Sequence, residues 1–104
     1  EILEFANLVE LYEGNDENIS YFGGTFMNCK KLKQLNIPLI KKVPSYMVSG
    51  CTSLYLLFLD MAESVGKKSF DECPNLMNLY IPKFTIIDNN AFQYCEKSFK
   101  QITG

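Results

Sequence analysis

The sequence predicts a solenoid, a stack of short coils with a parallel sheet on one side and short helical or 3₁₀ turns on the other. Three observations predict it. The four cysteines, Cys29, Cys51, Cys73 and Cys95, are spaced 22 residues apart. Apolar columns share that period: Phe26, Val48, Phe70 and Phe92 precede each cysteine by three residues. Leu32, Leu54 and Leu76 follow it by three, and Leu35, Leu57 and Leu79 by six. A fixed period of this length is the mark of stacked coils, none of which can bury its apolar side alone.

Each element follows from its column. Leu35 and Ile37, with Leu57/Leu59 and Leu79/Ile81, alternate with intervening residues, as in a half-buried strand. Strands are expected to centre on Leu35–Ile37, Leu57–Leu59 and Leu79–Ile81. Pro38 and Pro82 lack a backbone donor and end their strands. A second apolar pair, Ile40/Val43 and its counterparts, brings the chain back to the core. Turns follow at Val43-Pro44-Ser45, Val65-Gly66-Lys67 and Ile87-Asp88-Asn89. One helical or 3₁₀ turn, such as Asn90 to Cys95, then buries its Phe and Cys.

The pattern resembles the BspA-like, Treponema-type leucine-rich repeat. The residues that carry the resemblance are Asn75 to Ile87 with Ala91-Phe92-Gln93-Tyr94-Cys95, and Leu32 to Val43. The middle repeat departs from it, with Asp60 in place of the proline and Ala62 in a larger apolar slot. The resemblance spans about Ile19 to Phe99. It implies an α/β, right-handed solenoid with a concave sheet, and a cell-surface or secreted adhesion protein that binds a protein ligand such as a host extracellular-matrix protein.

The first coil is irregular. Aligning Leu8 with Leu32 and Leu11 with Leu35 places a poorer strand near Leu11. At the far end the apolar pattern slips by one residue, to Phe99 and Ile102. The whole, residues 1–104, reads as one domain of about four coils, a piece of a longer array. Glu1 to Leu11 has no basic leader region, so no signal peptide is expected there. Asn18-Ile19-Ser20 is a glycosylation sequon, relevant only in a secretory compartment.

Composition narrows function. The net charge is −2 and no basic stripe occurs, which disfavours nucleic acid as a partner. No apolar run reaches the ~18 residues needed to insert across a membrane. The chain has no His, the commonest general base, and no phosphate-cradling loop. No enzyme activity, cofactor or metal is expected. Cysteines on one column of a stack cannot converge tetrahedrally on zinc. They are read as reduced, buried thiols, although stacked strands are close enough for a disulfide.

The informative positions alternate with the core columns. If Leu57 and Leu59 point inward, Phe58 and Leu56 point out. A one-residue slip would drive Gln34, Asn36 and Asn78 into the core. The candidate binding face is therefore Tyr12, Gln34, Asn36, Tyr55, Phe58, Met77, Asn78 and Tyr80, on the concave sheet. Grouped exposed aromatics mark an interaction surface. The competing reading is that they stack across strands and stabilise the sheet. An intracellular protein-interaction scaffold is the alternative to adhesion, since four free cysteines suit a reducing cytoplasm.

Overall fold

The computed structural model describes residues 1–8, 25–92 and 95 and the strand at 100–102. Its core is a five-stranded parallel sheet of β1 (Ile2–Glu4), β2 (Gln34–Asn36), β4 (Leu56–Phe58), β6 (Asn78–Tyr80) and β8 (Lys100–Ile102), in that order. A smaller three-stranded sheet stacks β3 (Lys42–Val43), β5 (Ser64–Val65) and β7 (Ile86–Ile87). Every pairing is parallel, and from β2 onward the register advances by one period per strand, Leu35 beside Leu57 beside Leu79. The three central strands begin one residue earlier than the sequence predicts. The second sheet was not anticipated; it is built where Val43, Val65 and Ile87 return the chain to the core.

The interior is a set of apolar ladders. Leu32, Leu54 and Leu76 are buried, as are Leu35, Leu57 and Leu79, and Ile37, Leu59 and Ile81. The all-apolar run at Leu54 to Leu59 resolves as its neighbours require. Leu54, Leu57 and Leu59 are fully buried, Leu56 and Phe58 are half-buried, and Tyr55 is exposed. On the side opposite the sheet, Phe70 is buried and packs against Phe92 at a centroid distance of 4.9 Å.

Among the described residues the predicted helical turns stay isolated turns and no helix forms. The hydrogen bonds explain this. The amides of Tyr46, Val48 and Gly50 donate to the next coil, at Lys67, Ser69 and Asp71. Those of Met47, Ser49 and Cys51 donate within their own coil, to Pro44, Tyr46 and Val48. A helix directs successive amides along its own axis; here every second one is spent on the neighbouring coil. Left-handed residues recur on the same period and interrupt any helical run. Tyr46 and Lys68 have φ of 60° and 55°, and Asn28, Gly50 and Glu72 have φ of 61°, 75° and 53°. Gly50 suits its position twice over, because a Cβ there would also meet the Asn28 side chain.

Two alignments need correction. The first coil is set by β1, which places Leu3, not Leu11, beside Leu35. Leu3, Phe5 and Leu8 repeat the spacing of Leu35, Ile37 and Ile40, and all three pack on the core. The strand expected near Leu11 lies outside the described residues, as does the sequon at Asn18. At the other end the backbone does not slip with the apolar pattern. Gln101 pairs with Leu79 and Ile102 with Tyr80, so the leucine column passes to a glutamine.

A third departure lies at the ridge beyond the sheet. The turn after β4 falls at Asp60-Met61, closed by the Ala62 amide on the Leu59 carbonyl at 3.1 Å. After β6 it falls one residue later in the period, at Lys83-Phe84, closed by the Thr85 amide on the Pro82 carbonyl at 3.1 Å. Ile40 and Ala62 are fully buried, whereas Phe84 on the same column is 72% exposed. Pro38 sits on the column of Pro82 without delaying its own turn, so proline is not the cause. Ile40 and Ala62 fill the equivalent slots of the two coils beneath with no exposed surface, and a phenyl ring is bulkier than either, which favours overpacking as the cause. The Thr85 hydroxyl donates to the Ala62 carbonyl at 2.7 Å and ties the shifted turn down.

Candidate functional site: the open sheet face and the thiol column

Two rows run across the open face of the main sheet. One passes through Gln34, Leu56 and Asn78, the other through Asn36, Phe58 and Tyr80, each residue in register with the next. All six are half-buried. Tyr55 and Met77 lie immediately before their strands and are 38% and 46% exposed. The Gln34 amide group donates to the Tyr55 hydroxyl at 3.2 Å. Phe58 stacks on Tyr80 with ring centroids 4.5 Å apart and an interplanar angle of 18°. Seven of the eight residues named from sequence thus share one surface. The eighth, Tyr12, lies outside the described residues, and the place beside Asn36 in the register belongs to Glu4. Part of the aromatic surface is used internally, as the stacked pair shows. The edges of Tyr55 and Met77 remain open.

The cysteines form a ladder of another kind. All four are free; Cys51 and Cys73 are buried, and Cys29 and Cys95 only half-buried. Each of three thiols donates to a carbonyl of the preceding coil. The Sγ of Cys51 reaches Phe26 O at 3.0 Å, Cys73 reaches Val48 O at 3.1 Å and Cys95 reaches Phe70 O at 3.0 Å. Burial pushes the Cys51 thiol up to about 11, and raises Cys73 and Cys95 as well. A thiol so held is a poor nucleophile at neutral pH. Among the described residues no cluster of His, Cys, Asp and Glu converges in a way that could hold a metal. No helix among them is long and apolar enough to cross a membrane.

Asp71 is the one buried charged residue among the described residues, at 7% exposure. Its Oδ1 has no hydrogen-bond partner among the described residues. Burial, then the Glu72 carboxylate, raises its pKa above the ordinary 3.8, against the pull of Lys68.

A one-coil period and a parallel sheet of stacked leucine columns define a leucine-rich-repeat protein. More narrowly, a family model described as a BspA type leucine rich repeat region, in six copies, matches residues 8–103, and the chain belongs to that family. Comparison with curated proteins and with solved structures found no match. The family is a non-enzymatic repeat scaffold, and leucine-rich-repeat domains generally bind proteins.

Proposed function

We propose that this chain is a protein-binding module of an adhesive surface protein and that it engages its partner through the open sheet face. The observation that carries the reading is the adjacency of Tyr55, Phe58, Met77 and Tyr80 over two neighbouring strands, with Gln34, Asn36 and Asn78 as polar neighbours. Aromatic groups with polar neighbours supply contact area and orientation at low entropic cost. The partner class is an extracellular-matrix protein of a host, and no catalytic step is involved. The free thiols support a second reading, an intracellular scaffold, because unpaired cysteines persist in a reducing compartment.

The test is surface plasmon resonance of the chain against a panel of purified matrix glycoproteins. Tyr55→Ala with Met77→Ala is expected to weaken binding by about tenfold or more without changing the melting temperature appreciably. Binding that survives this double variant unchanged overturns the sheet-face assignment. Absence of any matrix ligand, with a partner recovered from cytosol and lost in the same variant, establishes the scaffold reading instead.

A further inference from the structure

The shifted turn opens a groove that the sheet-face reading does not use. The Met61 amide donates to the Pro38 carbonyl at 3.1 Å and stitches two coils together along the ridge. Among the described residues no equivalent bond joins Lys83 to Asp60, because the turn of the later coil is out of phase. Between the two ridges lies a cleft of about 330 Å³ lined by Asp60, Met61, Glu63, Tyr80, Pro82 and Phe84. That is near the lower end of small-ligand clefts, about 300 Å³. It suits one or two side chains of an extended segment.

The chemistry of the lining selects the occupant. Met61 and Phe84 are 46% and 72% exposed, so the walls are apolar surface left open to water. Asp60 and Glu63 are exposed carboxylates on the same rim, and neither is ion-paired among the described residues. Lys83 is exposed on the neighbouring turn but does not line the cleft. Apolar walls beside two carboxylates without an ion pair among the described residues match a long aliphatic stem with a cationic head. We propose that this groove binds an extended segment of a partner protein in which a lysine or arginine adjoins an aliphatic residue. The aliphatic group lies against Met61 and Phe84, and the cation faces Asp60 and Glu63. The site is separate from the sheet face, with which it shares only Tyr80.

The test is an NMR titration of the ¹⁵N-labelled full chain with three blocked hexapeptides. They are Gly-Leu-Lys-Leu-Lys-Gly, its Gln analogue and its Glu analogue. The cationic peptide is expected to shift amides at residues 60–63 and 83–85, with a Kd on the order of 1 mM. The neutral peptide should bind about fivefold more weakly, and the acidic one not at all. Asp60→Asn with Glu63→Gln should reduce the cationic peptide to the affinity of the neutral one, in a spectrum that otherwise retains its fold. Equal binding of all three peptides overturns the proposal. So does the absence of shifts, or shifts centred on Asn36, Phe58 and Asn78. Shifts of the groove amides that grow with protein concentration alone overturn it too, since they assign the groove to a second copy of the chain.

Discussion

Ile40 and Phe84 occupy the same column of the repeat, and their fates are opposite. Ile40 is sealed in the core and Phe84 stands 72% in solvent. The neighbouring leucine column shows no such divergence, with Leu35, Leu57 and Leu79 all fully buried. The difference lies in the backbone on which each column rides. The leucines sit on paired strands, whose register is fixed by hydrogen bonds on both sides. The Ile40 column sits on a turn, held by single bonds that can be remade one residue later. Strand columns therefore hold their phase, whereas the turn column can change it.

This comparison is most directly broken by truncating both members of the turn column. Ile40→Ala is expected to cost about 2–5 kcal/mol through the cavity it leaves. Phe84→Ala should cost about 0.5 kcal/mol or less. Denaturant melts of the two variants check this, and comparable losses would return Phe84 to the core.

Next in size is Gly66→Ala. A Cβ there would stand 2.8 Å from the backbone nitrogen of Ser45 on the coil below, and backbone cannot step aside as a side chain can. We expect a loss of about 1–3 kcal/mol, read from the shift in denaturation midpoint. A neutral result would mean that coil spacing is soft on the β3–β5 side as well as at the ridge.

The thiol column sharpens the contrast from the rigid side. Cys73→Ala removes the donor to Val48 O and leaves a small void, at a cost of about 1–2 kcal/mol. Cys73→Ser retains a donor and should cost less. If serine proves the worse of the two, the thiol is there for its apolar bulk and not for the bond. Labelling of the native protein at neutral pH should be slow at Cys51 and Cys73, which are buried.

The smallest effect expected is at Asp71 and carries the opposite sign. Its pKa is raised in the fold, so below the ordinary value of 3.8 both states are protonated and no penalty exists. As the pH rises through the folded-state pKa, the buried group must take up charge and stability falls. Asp71→Asn removes that penalty. The variant should melt above the parent at pH 7, and the two curves should converge as the pH falls toward 3.8.

What the sequence disclosed follows the same division. The period placed Leu57 and Leu59 inside and Phe58 outside in a run of six apolar residues. Gln34, Asn36 and Asn78 did that work, because a slip would have buried all three. The first coil was misread because Leu8 and Leu11 imitate the three-residue spacing of Leu32 and Leu35. The better signal was Leu3-Phe5-Leu8, which matches Leu35-Ile37-Ile40 at three positions. The groove at Met61 and Phe84 was hidden for a different reason. A column alignment assumes constant turn phase, and phase depends on how much volume the slot beneath will accept. Ala62 in an Ile column was visible as an oddity, but the size of the space above it was not. That the described turns stay isolated and build no helix was likewise illegible, since no residue type announces that its amide will bond to the coil above.

That last arrangement gives the molecule two interleaved populations of backbone amide. Along Tyr46 to Cys51, alternate residues are held by a neighbour or by a turn of their own. Solvent hydrogen exchange would read this as a beat of two. Met47 and Ser49 can be released when one small turn frays, while Tyr46, Val48 and Gly50 wait until adjacent coils part. The slow amides then report on adhesion between layers and the fast ones on the chain within a layer, so a single peptide segment carries separate gauges of the stack and of its parts.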